Sequence, residues 1–162
     1  MIIVDGPDGA GKSTLCQMLV QDGIAEKMLP SPRIAAKNGM RMKYETDRYM
    51  KLYADKPYVV DRYLFSEMAY GPVLRGRSQF SAREYLEKLM EIRFGKIPVI
   101  FCLPKKLNFK PEETQYIKDK MPEVVAKYEE MEQVVKKIIP LYHRYEWDQP
   151  EAYDKLKGFL IW

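Results

Sequence analysis

Residues 6–14 read Gly6-Pro7-Asp8-Gly9-Ala10-Gly11-Lys12-Ser13-Thr14, and this stretch decides the fold. It matches the phosphate-binding loop pattern G-x-x-x-x-G-K-[ST] at every required position. The residues before it, 1–4, form a short apolar run of the kind found in buried parallel strands. The residues after it give a largely apolar helix face. The sequence therefore predicts a strand, a phosphate-binding loop and a helix, in that order.

The residue types of this loop suit a nucleoside triphosphate. Glycines without a Cβ let the backbone bring its N–H groups close to phosphate oxygens, and the helix beginning near Lys12 adds its dipole. Lys12 is expected to contact the β- and γ-phosphates, and Ser13 to offer a hydroxyl to Mg²⁺. The residues expected around the phosphates of ATP are Gly6, Asp8, Gly9, Ala10, Gly11, Lys12, Ser13 and Thr14.

Length and composition limit the class of protein. The chain has 162 residues, of which 46% are hydrophobic and 31% charged, as expected of one domain with one core. A net charge of +4 suits an anionic substrate, while 27 basic against 23 acidic residues does not favour nucleic acid. Cys16, Cys102 and the lone His143 are too few for a structural zinc site. No apolar run is long enough to cross a membrane, so we expect a cytoplasmic protein.

The predicted elements alternate between strands and helices. Ser81 is a candidate helix cap, with Glu84 three residues later. Such alternation predicts a parallel sheet that binds ligands at the carboxyl ends of its strands. The pattern predicts strands at residues 1–5, 58–61, 97–103 and 141–147, a loop or short strand at 29–33, and helices at 12–23, 39–54, 64–75, 81–94, 111–138 (interrupted by Pro122) and 150–159.

A second motif follows the strand at residues 58–61. Asp61 and Arg62 end an apolar strand, which places a carboxylate and a guanidinium beside the phosphate-binding loop. The Asp61 carboxylate is suited to hold Mg²⁺, directly or through water. The Arg62 guanidinium is suited to take a phosphate with two hydrogen bonds. A plain structural ion pair at the strand end is the alternative.

Together, the two motifs resemble thymidylate kinase. The pattern Asp-Gly-x-Asp-Gly-x-Gly-Lys-Ser-Thr begins at Asp5, and Asp-Arg-Tyr-x-x-Ser-x-x-Ala-Tyr begins at Asp61. The likeness covers residues 1–75 well and the rest by element order. It implies a three-layer α/β fold of the P-loop NTPase type, with about five parallel strands in the order 2-3-1-4-5. It also implies ATP and Mg²⁺, and phosphorylation of a pyrimidine deoxynucleoside monophosphate, dTMP first.

The resemblance also implies an acceptor site. Tyr44 would stack on the base and Arg48 would bond a base oxygen. Arg33 and Arg62 would hold the acceptor phosphate, and Asp8 would approach the 3′-hydroxyl of the deoxyribose. Tyr70 would lie under the sugar, and Ser66 belongs to the same motif. Gly71 stands where the family usually has Gln or a small polar residue, which leaves the reading of the base edge open.

The second half of the chain departs from the family. A single domain over residues 1–162 is expected to carry a lid at about 105–121, a segment that normally contains arginines. Here the segment contains lysines and no arginine. Because phosphoryl transfer needs cations around the moving group, Lys118 and Lys120 are the candidate catalytic residues of the lid, beside Lys12, Asp8 and Arg62. A solvated lysine-rich helix is the alternative.

Other functions remain to be weighed. The Asn-Lys-x-Asp motif of a GTPase is absent from the sequence. A nucleotide-binding regulatory module would explain the phosphate loop but not Asp61 and Arg62. The nearest alternative is a kinase of the same fold acting on a modified deoxynucleotide, a nucleoside, or a base or end in DNA, as in compact bacteriophage kinases working in host cytoplasm. Met68, Leu74 and Tyr85 are candidates for a homodimer interface.

Overall fold

The structure is a computed structural model that describes residues 1–29, 40–111 and 113–161. Its centre is a parallel sheet of five strands in the order β2-β3-β1-β4-β5, as predicted. Each strand is short, and β1, β3 and β4 are almost wholly buried. The strands are β1 (Ile2–Asp5), β2 (Lys27–Leu29), β3 (Tyr58–Asp61), β4 (Val99–Cys102) and β5 (Tyr142–Tyr145).

Helices cover both faces of the sheet and make three layers. Helices α1 and α6 lie on one face, and α3, α4 and α5 cover the other, with α2 beside α3. This arrangement is the predicted α/β fold. The helices are α1 (Lys12–Gln21), α2 (Met40–Tyr53), α3 (Leu64–Arg75), α4 (Ala82–Phe94), α5 (Gln115–Ile138) and α6 (Ala152–Leu160).

Strand β1 shows how the sheet forms two cores. Ile3 points into the core under α3, α4 and α5, whereas Ile2 and Val4 point into the core under α1 and α6. Residues of a strand alternate between its faces, so a run that is apolar at every position is buried on both sides. The pairing places β1 between β3 and β4, and the phosphate-binding loop therefore leaves the middle of the sheet.

Several predictions need correction. The predicted interruption at Pro122 is wrong, because α5 runs as one helix through that residue. The expected lid at about 105–121 overlaps the start of α5, which begins at Gln115. Tyr85 is buried in the chain's own core, and Met68 and Leu74 pack against that core while remaining partly exposed, so their place in a homodimer interface stays a prediction. The Ser81 cap is confirmed, since its hydroxyl accepts from the Glu84 N–H and the Glu84 side chain reciprocates. No helix in residues 1–29, 40–111 and 113–161 could span a membrane.

Candidate active site

The phosphate-binding loop borders a cavity of about 500 Å³ at the carboxyl edge of the sheet. Lys12 is the first residue of α1 and is 95% buried, with only 5% of its surface exposed. Its ammonium donates a 2.6 Å hydrogen bond to the Pro7 carbonyl of the same loop. Among the residues that line this cavity are Asp8, Gly9, Gly11, Lys12, Ser13, Thr14 and Arg62. One cavity therefore holds the loop, its lysine and the arginine of the second motif.

Ser13 and Asp61 meet in a way that suits a divalent cation. The Ser13 hydroxyl donates to Asp61 Oδ2 at 2.5 Å. The second oxygen, Asp61 Oδ1, is buried and has no hydrogen-bond partner in the part of the chain that the structure describes. An unpaired buried carboxylate oxygen is costly, and a cation would compensate it. Oxygen ligands of this kind fit Mg²⁺, which keeps several waters and needs only one or two carboxylates beside substrate phosphates.

Arg62 is held in one orientation by three contacts. Its guanidinium forms an ion pair with the Asp8 carboxylate and lies 5.6 Å from the centre of the Tyr70 ring. Its backbone has φ +76° and its N–H donates to the Val4 carbonyl at 2.8 Å. A non-glycine residue in this left-handed region costs about 1–2 kcal/mol. The Tyr70 hydroxyl completes the arrangement by accepting from the Asp8 N–H at 2.7 Å. Asp8, Arg62 and Tyr70 thus form one unit beside the phosphate loop.

The electrostatics of this unit follow from burial and charge. Burial, and then the positive charge of Arg62, lower the pKa of Lys12 to about 8. Burial alone would raise the pKa of Asp8, but the charges of Arg62 and Lys12 outweigh it and hold that pKa below its ordinary value. Asp8 is therefore ionised at neutral pH and acts as the counter-ion of Arg62. Two cations close together in a buried cavity favour an anionic ligand.

Ser66 does not reach the cavity. It is fully buried, and its hydroxyl donates to Asp5 Oδ1 at 2.6 Å. The Asp5 carboxylate also accepts from the N–H groups of Gly6, Tyr63 and Ser66 and from the Tyr128 hydroxyl. Burial raises the pKa of Asp5 despite these bonds. Ser66 therefore has a structural role, as a hydrogen-bond donor to Asp5, and does not line the site where the acceptor was expected to bind.

Asp5 is the positioning residue that sequence reasoning missed. Its hydrogen bonds join the first residue of the phosphate loop, the start of α3 and the middle of α5. Arg62 directly precedes Tyr63, whose N–H is one of these partners. The available signal was the acid at the end of β1, directly before Gly6. No spacing rule connects that acid with Tyr128, which is 123 residues away.

The room around Gly71 is filled by a buried ion pair. Glu67 is fully buried and pairs with Arg75, and it also accepts from the Gln79 N–H at 2.9 Å. A Cβ added at Gly71 would lie 2.7 Å from Glu67 Oε1, too close for any side chain. The Arg77 carbonyl oxygen lies 2.8 Å from the same point, so the backbone as well as the Glu67 carboxylate leaves no room for a Cβ at residue 71. A larger polar residue, as the family usually has, would not fit here.

The expected base-binding residues lie on the outward side of α2. Its inward side is made by Met42, Thr46 and Tyr49. Tyr44 is 66% exposed, and Arg48 pairs with Glu45 one turn before it. Neither residue lines the phosphate cavity. Arg33, the expected second phosphate ligand, lies outside the described residues.

The lid lysines predicted from sequence lie away from the cavity. Lys120 pairs with Glu123 on the surface of α5, and Lys118 lies on the same helix. The residues that extend the cavity beyond the phosphate loop come instead from the loop after β4 and from the end of β5. They are Asn108, Lys110, Glu113, Tyr145 and Trp147. The Trp147 ring packs 3.1 Å from where a Cβ of Gly11 would lie.

Comparison with known proteins supports the fold. No family model matches the chain, and no curated protein matches it. The solved structure of the YorR protein from Bacillus subtilis, in complex with phosphorylated GDP, is similar to it with a TM-score of 0.65 and 17% sequence identity. The match covers 99% of this chain and 94% of that one. At this identity the likeness shows the fold, which this chain shares with a nucleotide-bound protein.

Proposed function

We propose that this chain is a nucleoside monophosphate kinase that moves the γ-phosphate of ATP to a pyrimidine deoxynucleoside monophosphate, with dTMP as the first candidate acceptor. The single observation that carries the proposal is the cavity that joins the phosphate loop with Arg62. A regulatory nucleotide site would need the loop alone. A transferase needs a second phosphate position beside it, and Arg62 offers one.

The proposed roles are supported by the following contacts. Lys12 and the loop amides would hold the donor phosphates, and Arg62, oriented by Asp8 and Tyr70, would hold the acceptor phosphate. Ser13 and Asp61 would hold Mg²⁺, which neutralises charge on the phosphates when bound. In the transfer, an anionic oxygen of the acceptor phosphate forms a bond to the γ-phosphorus. The bond from that phosphorus to the β–γ bridging oxygen breaks, and its electron pair leaves with ADP. No proton has to be removed from the acceptor.

The proposal also concerns which base the acceptor nucleotide carries. Tyr44 and Arg48 are the base contacts implied by the resemblance, and the exposed Tyr44 ring is accessible for stacking. The Glu67 carboxylate over Gly71 favours the alternative that the base edge is read differently from thymidylate kinase. The second candidate function is therefore the same transfer to a nucleotide with another or a modified base. The nucleotide of the YorR structure is a reason to include guanine among the bases tested.

The test is a panel of acceptors supplied with ATP and Mg²⁺. We would measure ADP formation with dTMP, dUMP, hydroxymethyl-dUMP, dCMP, dGMP, dAMP, thymidine and a short DNA. Turnover with dTMP above all others supports the first proposal. Turnover with another monophosphate supports the second. ADP formation that is independent of every acceptor contradicts both, because it indicates ATP hydrolysis alone.

A further inference from the structure

Residues 103–111 cross the phosphate loop, and we call this segment the strap. Three hydrogen bonds donated by its backbone N–H groups hold it. Leu103 N–H donates to the Tyr145 carbonyl at 3.0 Å, and Lys105 N–H to Asp148 Oδ2 at 2.9 Å. Asn108 N–H then donates to the Gly9 carbonyl at 2.9 Å. The strap is thereby fixed to β5, to the loop after β5 and to the phosphate loop.

Gly9 shows how closely the strap approaches the phosphate loop. A Cβ at residue 9 would lie 2.9 Å from the Asn108 carbonyl oxygen and 3.0 Å from its nitrogen. Gly9 also has φ +77°, which favours glycine. The motif itself requires glycine only at residues 6 and 11. The third glycine is therefore explained by the strap that lies on it.

Apolar contacts hold the strap on both sides of the sheet. Leu107 packs against both core clusters, and Phe109 packs against the one under α3, α4 and α5. Leu107 and Phe109 lie on either side of Asn108 in the sequence, and Phe109 directly precedes Lys110. The backbone that carries Lys110 is therefore positioned by packing as well as by hydrogen bonds.

Lys110 lines the same cavity as Lys12 and Arg62. Its side chain is exposed, and no ion pair to Lys110 occurs among residues 1–29, 40–111 and 113–161. Glu113 also lines the cavity, and its N–H closes a turn on the Lys110 carbonyl at 3.1 Å. In contrast, the ammonium of Lys120 forms an ion pair with the Glu123 carboxylate. Of these lysines, Lys110 has the position from which a cation can contact the phosphates.

We propose that Lys110 is a catalytic residue whose ammonium contacts the transferring phosphoryl group. This inference rests on the proposed function. As the bond from the γ-phosphorus to the bridging oxygen breaks, negative charge is redistributed over the γ- and β-phosphate oxygens. Lys110 stabilises that charge from the strap that borders the cavity.

The test compares Lys110→Ala with Lys110→Arg, and with Lys106→Ala as matched control. Lys106 lies on the same strap and is exposed, but it does not line the cavity. At saturating ATP and acceptor, we expect Lys110→Ala to lower kcat about 100-fold. The KM for ATP and the affinity for ADP should stay within about threefold, because ground-state binding rests on the phosphate loop. Lys110→Arg should recover at least about one tenth of the wild-type kcat, and Lys106→Ala should retain nearly all of it.

Two results would overturn this role. If wild type transfers phosphate and Lys110→Ala has an equal kcat, or if Lys106→Ala loses as much, the assignment of Lys110 is wrong while the proposed function stands. If wild type transfers phosphate to no acceptor, the proposed function and this role fail together. Circular dichroism and thermal unfolding of wild type and of each variant show whether a lost rate comes from loss of the fold.

Discussion

The phosphate loop and the acceptor side of the molecule differ in how their residues are brought together. Residues 6–14 are contiguous, and their geometry is set by one turn between β1 and α1. The acceptor side would draw on α2, α3 and the strap, which are distant in sequence. Contiguous motifs carry their own geometry, whereas dispersed side chains depend on how helices pack. The following predictions test this difference, from the largest expected effect to the smallest.

Lys12→Met should abolish transfer. The substitution removes the charge from a position that is 95% buried, and it keeps most of the apolar stem. We expect transfer to fall by at least about 1,000-fold, because the lysine serves both the donor phosphates and the transition state. Initial rates of ADP formation measure the effect, with Lys120→Ala, on the surface of α5, as control. Retention of more than a tenth of the rate would show that the loop lysine is not used.

Arg62→Ala should separate transfer from donor binding. The guanidinium stands beside Asp8 and Tyr70, where it would hold the acceptor phosphate. We expect a loss of about 100-fold or more in transfer, with the affinity for ADP within about threefold. Calorimetric titration with ADP and a rate assay give the two quantities on one sample. Near-normal transfer by Arg62→Ala would contradict the account.

Ser66→Ala should act on stability rather than on the acceptor. The hydroxyl is a buried donor to the Asp5 carboxylate. Its loss should lower the free energy of unfolding by about 2 kcal/mol, with the KM for the acceptor within about twofold. Urea unfolding and acceptor titration measure both. A raised KM for the acceptor with an unchanged free energy of unfolding would show that Ser66 binds the acceptor after all.

Tyr44→Ala tests the opposite case, an exposed side chain proposed to bind. Tyr44 is 66% exposed, so the free energy of unfolding should change by less than about 0.5 kcal/mol. The KM for the acceptor should rise about tenfold, because the base loses its stacking partner. Tyr116→Ala is the matched control, since Tyr116 is 56% exposed and lies on α5. Equal KM values for the two variants would place the base elsewhere.

The affinity for ADP should fall as pH rises through about 8. Lys12 has a pKa lowered to about 8, so it loses its proton above that pH and with it the attraction for phosphate. Nucleotide phosphate is already ionised there, because its second pKa is near 6. We expect a loss of about threefold to tenfold between about pH 7.5 and 9.5. Titrations at several pH values measure it, and Lys12→Arg should flatten the curve. A flat wild-type curve would contradict the lowered pKa.

The alternation of strands and helices predicts the parallel sheet, and the resemblance of the two motifs to thymidylate kinase implies its strand order. The loop at residues 6–14 identifies β1, and an apolar strand ending in Asp61 and Arg62 identifies β3. Right-handed crossover connections then leave few arrangements of the remaining strands. Pro122 was misjudged because the packing of α5 outweighs the loss of one backbone hydrogen bond.

Site residues were predictable where a motif or neighbouring strands bring them together. They were not predictable where the contact partners are distant in sequence. The Ser13–Asp61 contact could be expected, because the phosphate loop that leads to Ser13 follows β1, and Asp61 ends the neighbouring strand β3. The buried position of Ser66 could not, since it depends on Asp5 and Tyr128 meeting from opposite ends of the chain. Lys118 and Lys120 were preferred to Lys110, because the sequence does not show that the residues before the Thr114 cap of α5 border the cavity.

The most direct test of the central claim is the stoichiometry of products. Wild-type protein would be incubated with ATP, Mg²⁺ and the best acceptor of the panel, and the nucleotides would be separated by chromatography. The account predicts one nucleoside diphosphate formed from the acceptor for each ADP formed from ATP, and no ADP beyond background without an acceptor. ADP produced with the acceptor left unphosphorylated would contradict it.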